Sequence, residues 1–333
     1  MSTQELNIVQ AVRDGLAGEM RRDDDVLVMG EDVGKNGGVF RATDGLYEEF
    51  GEDRVVDTPL AESGIVGTAV GMAAYGLRPV PEIQFSGFMY PAFDQIVSHA
   101  ARLRTRSRGR LNCPLVIRAP YGGGIRAPEH HSESKEAFYV HEAGLKVVVP
   151  STPRDTKGLL AASIRDPDPV VFLEPKLIYR AFREPVAEEP YTIELGEAAI
   201  RREGTDLSVF TWGAMTRPTL SVAEDLAGEI DIEVVDLRTL SPMDTDAIVE
   251  SFKKTGRAVV VHEAPRTGGL AGEITATIQE EALGYQEAPI NRVTGFDVPY
   301  PLYALEDYYM PGETRIEDAI RETHAFEYGT DGS

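Results

Sequence analysis

Short apolar runs recur along this chain with too few polar residues in them to give an alternating pattern. Residues 26–29 (VLVM), 54–56, 80–85, 115–117, 146–149 and 169–173 are such runs, rich in Val, Ile and Leu. A strand with no polar face must be covered on both sides, and the usual solution is a parallel sheet between helices. Residues 62–75 and 92–106 carry the intervening helical patterns. In the first, Gly64, Gly67 and Gly71 fall near one face and permit close packing. The second runs into Arg102, Arg104, Arg106, Arg108 and Arg110, a solvated helix end.

The alternation resumes after a shift to charge and proline over 180–190 (RAFREPVAEEP). Strands are expected at 208–211, 233–235 and 258–261, and helices at 214–226, 244–252 and 271–283. The order predicts a second, smaller α/β domain. The expected division is 1–185, a linker at 186–195, and 196–328, with Tyr328 to Ser333 frayed at the end. A length of 333 residues suits two domains, each with its own core.

Composition narrows the class of function. The chain is 42% hydrophobic with a mean hydropathy of -0.22, and no apolar run approaches the ~20 residues of a membrane span. Met1 to Leu16 lacks an apolar secretory core. The single cysteine, Cys113, excludes an intrachain disulfide and fits a reducing cytoplasm. Fifty-five acids against 33 bases give a net charge of -22, and only seven of the bases are lysines. That field opposes binding to nucleic acid or anionic membranes. It suits a salty, screened cytoplasm such as a halophile's, or docking to a basic partner.

Two segments carry chemistry. Asp57-Thr58-Pro59-Leu60-Ala61-Glu62-Ser63-Gly64-Ile65-Val66-Gly67 places one acid where a strand gives way to a helix. Pro59 behind Thr58 signals a first helical turn. A capping box would need the acid three residues after Thr58, which is Ala61, so Glu62 misses that role by one position. Dipole complementarity at the helix start is one explanation for Glu62. A partner is the other, since an acid among Leu60, Ile65 and Val66 is costly alone.

The second segment is Gly122-Gly123-Gly124, followed by Glu129-His130-His131-Ser132-Glu133-Ser134. Glycines let backbone approach a ligand or cross a tight turn. A loop histidine is suited to proton transfer or hydrogen bonding near neutral pH. With His141 and the glutamates a zinc site is conceivable, but neither HExxH nor CxxC occurs. A dinucleotide fingerprint and a P-loop are also absent, and Gly268-Gly269-Leu270-Ala271-Gly272 suits helix-entry packing.

Taken together, the chain resembles the beta subunits of the thiamine-diphosphate-dependent first component of 2-oxoacid dehydrogenases, with a match close to the pyruvate dehydrogenase type. The blocks that carry the likeness run almost end to end. They include Gly30-Glu31-Asp32-Val33-Gly34, Gly38-Val39-Phe40-Arg41, residues 57–67, Arg78-Pro79-Val80, Glu82-Ile83-Gln84-Phe85 and Asp94-Gln95-Ile96. His131-Ser132, residues 144–150, Leu173-Glu174-Pro175-Lys176, Asp236-Leu237-Arg238-Thr239-Leu240 and Leu305-Glu306-Asp307-Tyr308-Tyr309 continue the series.

The resemblance implies an α/β fold of two domains. A transketolase-like pyrimidine-binding domain with a mostly parallel sheet precedes a transketolase C-terminal domain. It implies that Glu62 hydrogen-bonds the aminopyrimidine of thiamine diphosphate, that Gln84 and Phe88 contact and stack on that ring, and that Leu60 lies beside them. Phe85, closing its strand, is expected to pack inside. His131 falls on the family's active-site histidine, with His130 a bystander, and Arg126-Ala127-Pro128 departs from the small residues common in relatives. A potassium ion would sit at Leu115, Ser163, Ile164, Asp166 and Asp168.

No Gly-Asp-Gly occurs here, so the likeness implies that an alpha subunit holds Mg²⁺ and the diphosphate in an α2β2 heterotetramer. The implied reaction is oxidative decarboxylation of a small 2-oxoacid, with acyl transfer to lipoyl groups of a dihydrolipoyl acyltransferase core. The alternatives are a branched-chain 2-oxoacid or acetoin dehydrogenase subunit, and a non-catalytic module that docks the core.

Overall fold

A computed structural model describes residues 2–327, so the fraying expected at 328–333 lies outside the described residues. The strands are β1 Thr3–Leu6, β2 Val26–Gly30, β3 Val55–Asp57, β4 Arg78–Glu82, β5 Val116–Tyr121, β6 Lys146–Val148, β7 Val170–Pro175 and β8 Glu184–Ala187. They continue as β9 Ala199–Arg202, β10 Leu207–Thr211, β11 Ile232–Asp236, β12 Thr239–Ser241, β13 Ala258–Pro265 and β14 Asn291–Gly295. Seven strands form one sheet in the order β12-β6-β7-β5-β4-β2-β3, parallel except for β12. Five form a second in the order β14-β13-β10-β11-β9, parallel except for β9. Every residue of β2, β5 and β7 is buried, as strands covered on both faces must be.

The strand order places a crevice. From β2 the chain passes to β3 on one side, then returns to β4 on the other. The connections leaving the carboxyl ends of β2 and β4 therefore diverge, and open sheets bind ligands at such a switch point.

Helix Ile8–Arg22 packs against helix Pro153–Arg165 beside this sheet. Both have capped starts: Asn7 and Gln10 form a reciprocal box, and the Thr152 hydroxyl accepts from Asp155 N at 3.1 Å ahead of Pro153.

Several expected boundaries move. The helix after β3 spans Glu62–Ala74, with Pro59 outside it in irregular backbone. Residues 92–106 are not one helix. The segment is a 3₁₀ stretch Ser86–Ala92, a π turn Gln95–Ala100 and a short α turn Leu103–Arg106. Pro91 lies inside the first piece and has no N–H to give to an α-helical ladder.

The proline-rich 180–190 stretch is not all loop, because Glu184–Ala187 pairs antiparallel with β1. The two halves are also less separate than the alternation suggests. After β11 the chain crosses over, and β12 adds itself to the edge of the first sheet beside β6, Thr239 opposite Val148. A buried ionic cluster reinforces that seam: Arg201 bridges Asp236 at 2.8 Å and also pairs with Asp155, while Arg238 reaches Asp155 at 3.3 Å.

Candidate active site

The carboxyl ends of β2, β3, β4, β5 and β7 lie along one edge, and each feeds a segment singled out in the sequence. Beyond β3, the Thr58 N–H donates to Gly30 O at 2.9 Å, and the Gly34 N–H donates to Asp57 Oδ1 at 2.6 Å. These bonds tie the loops after β2 and β3 together. Ala61 is the helix N-cap and offers no side-chain bond, so the helix opens directly on Glu62.

Glu62 is half-buried, and among the described residues its carboxylate has no hydrogen bond or ion pair. Ile65 and Val66 turn into the core, whereas Leu60 is 70% exposed. The apolar surround expected for Glu62 is therefore not completed by this chain's own residues. Burial, then the charges of Asp32 and Glu62, raise the Glu31 carboxyl above its ordinary range.

The helix Glu62–Ala74 packs on the 3₁₀ segment Ser86–Ala92, which carries Phe88. Gln84 and Phe88 are half-buried, and Phe85 is buried as expected, although β4 ends at Glu82 and Phe85 instead caps the 3₁₀ segment that follows. The Phe85 and Phe88 rings meet edge to face at 5.5 Å. Both abut His131, with ring centroids 4.4 Å and 5.0 Å away. The structure thus joins Phe88 to His131 and sets the Glu62 helix against the same wall.

His131 ends a 3₁₀ turn, Glu129–His131, whose backbone closes by His131 N donating to Pro128 O at 2.9 Å. Gly87 lets this turn approach, since a Cβ there would lie 2.0 Å from His130 O. Tyr90 Oη donates to Glu133 Oε2 at 2.9 Å and Ser86 Oγ to Glu133 O at 3.0 Å, which fixes the following residues. The His131 Nδ1 is buried with no partner among the described residues. Burial, then the positive charges of Lys176 and His130, hold the imidazole below its ordinary pKa against the pull of Glu129. His130 instead sits beside Tyr90, largely exposed.

The glycine triplet is held from across the molecule. Gly122 and Gly124 have left-handed φ of +82° and +86°. Gly123 N donates to Glu263 Oε2 at 2.8 Å, Gly124 N to Tyr300 Oη at 3.3 Å, and Arg126 N to Glu306 Oε1 at 2.9 Å. Lys176 Nζ donates to Gly122 O. Glu263, Tyr300 and the Lys176 contact escaped the sequence reading. The available signal was polarity, because His262-Glu263 interrupts the apolar run of β13.

The five residues proposed for potassium gather near the opposite end of the sheet. Asp166 pairs with Lys146 at 2.5 Å and Asp168 with Arg104 at 2.6 Å. The carbonyls of Ile164 and Asp166 accept from Arg78 Nη1 at 2.9 and 3.4 Å, and Leu115 O accepts from Val170 N. Among the described residues no group of three or more His, Cys, Asp or Glu is placed to hold a metal, and no helix is long and apolar enough to cross a membrane.

Known proteins give this geometry its context. Residues 4–181 match the family described as transketolase, pyrimidine binding domain, and residues 196–316 match transketolase, C-terminal domain. The pyruvate dehydrogenase E1 component subunit beta of Bacillus subtilis is 51% identical over 323 residues, covering 97% of this chain and 99% of the relative. Its Staphylococcus aureus counterpart is 50% identical over the same coverage. Among solved structures, a split gene transketolase, described as an inactive beta4 tetramer, superposes with a TM-score of 0.79 at 22% identity. That match covers 98% of this chain and all of the other, and it supports the fold. The chain belongs to the family of pyruvate dehydrogenase E1 beta subunits, in which a transketolase pyrimidine-binding domain is followed by a transketolase C-terminal domain.

Proposed function

We propose that this chain contributes the proton-handling half of a thiamine-diphosphate active site shared with an alpha subunit, and that pyruvate is the oxoacid decarboxylated there. The observation that carries the proposal is the Glu62 carboxylate. It opens, at the switch-point crevice, the helix that packs on the segment carrying Phe88, and it has no hydrogen-bond partner from its own described residues. A half-buried acid without a partner suits a ligand nitrogen that can share a proton with it.

Bound thiamine diphosphate supplies the nucleophilic carbon and the electron sink for decarboxylation. The chain's own residues do the rest. Glu62 holds the proton at the pyrimidine nitrogen, Phe88 offers its ring for stacking, Gln84 contacts the pyrimidine and Leu60 covers it. His131, kept neutral at pH 7 by burial and by Lys176, offers the accessible part of its ring to the substrate and then to the acyl group passing to a lipoyl arm, while Nδ1 stays buried.

The missing Gly-Asp-Gly motif supports assigning Mg²⁺ and the diphosphate to the alpha subunit, in an α2β2 assembly that serves a dihydrolipoyl acyltransferase core. For potassium, the cluster of Leu115, Ser163, Ile164, Asp166 and Asp168 offers backbone carbonyls only, since both carboxylates are committed to Lys146 and Arg104. In this proposal residues 1–185 form the pyrimidine-binding unit and 196–328 the C-terminal one, joined by 186–195. The net charge of -22 supports a cytoplasm of high ionic strength as the setting.

The test is Glu62→Gln in the complex reconstituted with its alpha subunit. Decarboxylation of pyruvate is expected to disappear while the assembly stays intact by sedimentation. Retained decarboxylation would reduce the chain to a scaffold. Tight binding of thiamine diphosphate by the isolated chain, measured by isothermal titration, would refute the shared site.

A further inference from the structure

Behind the aromatic wall that carries His131 lies a buried pair of opposite charges contributed by the two domains. Lys176 follows β7, is 4% exposed, donates to Gly122 O, and places Nζ 5.8 Å from the centroid of the Phe85 ring. The same Phe85 ring lies against His131. Glu263 belongs to β13 of the second sheet, is 4% exposed, and accepts from Gly123 N at 2.8 Å and from the Ser134 side chain. The contacts to Gly122, Gly123 and Ser134 touch the glycine turn or the short loop that holds His131, and Phe85 touches His131 itself.

We propose that Lys176 and Glu263 form an interdomain positioning pair for His131, gripping the backbone of the Gly122–Gly124 turn from its two sides and setting the electrostatic field at the imidazole. This inference rests on the active-site role assigned to His131 above.

Steric evidence agrees with the grip. A Cβ at Gly122 would lie 2.6 Å from Glu263 Oε1, and one at Gly124 would lie 2.6 Å from Leu177. The turn is therefore pressed between the two domains, and it keeps its shape only while both stay in place. The buried charges need each other as well. Burial drives Lys176 down and Glu263 up, both toward neutrality, and their mutual attraction, with Glu306 adding its pull on Lys176, works against that.

The charged groups facing His131 are Glu129 and His130 on its own turn and Lys176 from β7's end. Nearby Glu133 is occupied by Lys135 at 3.4 Å and His130 at 3.8 Å. Lys176 is thus the cation on another element that acts on the imidazole.

The experiment uses the assembled enzyme. Carbethoxylation by diethyl pyrocarbonate, which attacks neutral imidazole, is followed by mass spectrometry on the peptide Ala127 to Lys135 as a function of pH. Removing the positive charge with Lys176→Met is expected to raise the pH midpoint of His131 modification and leave that of His130 nearly unmoved. The acid limb of kcat/KM should move with it. Should Lys176→Met fail to assemble, Lys176→Met combined with Glu263→Gln leaves neither charge unpaired and reads the same shift.

Glu263→Gln keeps an acceptor for Gly123 N and should retain most of kcat, whereas Glu263→Ala should lose on the order of 10²-fold. An unmoved His131 midpoint in both lysine variants overturns the proposal, as does equal activity in Glu263→Gln and Glu263→Ala. His131→Ala separates the two claims. If that variant stays active while the midpoint still moves in Lys176→Met, the positioning pair stands and the catalytic role of His131 falls.

Discussion

Along the carboxyl edge of the seven-stranded sheet, the loops after β2 and β3 and the helix that leads to β4 end half in solvent, whereas those after β5 and β7 end against the second domain. On the first side stand Glu31, Leu60 and Glu62, with Leu60 exposed and the Glu62 carboxylate unpaired among the described residues. On the second side the backbone N–H groups of Gly123, Gly124 and Arg126 each find an acceptor on the C-terminal half. Buried backbone groups must be paired, and here the chain pairs them itself. The difference is one of completion: one flank is finished by folding, and the other is left for the partner that the proposed function assigns to it.

The largest expected effect breaks the unfinished flank. Glu62→Gln removes the only acid in the helix's first turn while keeping its size. With the alpha subunit present, kcat for decarboxylation should fall about 10³-fold or more, at the upper part of the range for a lost proton-transfer group. The fold of the beta chain should not change, because the residue has no intramolecular bond to lose.

On the finished flank the corresponding change is steric. In Gly123→Ala the new Cβ would lie 1.9 Å from Tyr300 Oη, and that ring is not free to yield. Its hydroxyl donates to Glu306 Oε2 at 2.9 Å, and it packs on Tyr309 at 4.8 Å. The glycine turn should shift and carry His131 with it, lowering kcat/KM on the order of 10²-fold. Normal kinetics in this variant would mean that the turn does not set the histidine's place.

The two flanks also differ in how far the sequence discloses them. Buried parallel strands print themselves as apolar runs, so β2, β5, β7 and β10 are visible as segments even where their ends are off by a few residues. The motif singles out Glu62, but the helix begins at Glu62 and not at Pro59. Ala61, the true cap, makes no side-chain bond and leaves no signature. Helical periodicity over 92–106 concealed a π turn, which keeps apolar residues at similar spacing.

The finished flank was largely hidden. Gly123 and Glu263 are 140 residues apart, and Gly124 and Tyr300 are 176 apart. No local pattern announces a bond across that distance. β8 escaped for the same reason, since its partner β1 is at the other end of the domain.

A subtler test lies deeper in the finished flank. His262 is fully buried and stacks on Trp212 at 5.1 Å. Burial, with Arg292 adding to it, pushes its pKa down to about 4 from 6.5. Between those values the unfolded chain binds the proton first, so stability should fall as pH drops from about 6.5 toward 4. By pH 4.5 this one group should remove about 2 kcal/mol relative to pH 7.

Buried Glu136, pushed up to about 7 chiefly by burial, has the opposite sign: its contribution is complete below 4.5 and is lost as pH rises through 7. His262→Leu should therefore flatten the acid side of the stability profile or reverse its slope, as read from unfolding midpoints at pH 4.5 and 7. An unchanged slope would show that the histidine's charging is not resisted by the fold.

The smallest effect sharpens the contrast most. Leu60 is 70% exposed and follows Pro59 in irregular backbone, so Leu60→Ser should change the stability of the beta chain by less than about 0.5 kcal/mol. A buried leucine in the same sheet, such as Leu173 in β7, would lose far more on truncation. If the unfinished flank is completed by the alpha subunit, the cost of Leu60→Ser appears in association instead. The dissociation constant of the assembly should rise about tenfold, roughly 1.4 kcal/mol, in sedimentation at fixed salt. A change that leaves both folding and assembly untouched would mean that the alpha subunit does not seat against this flank, and the unpaired Glu62 would then need another explanation.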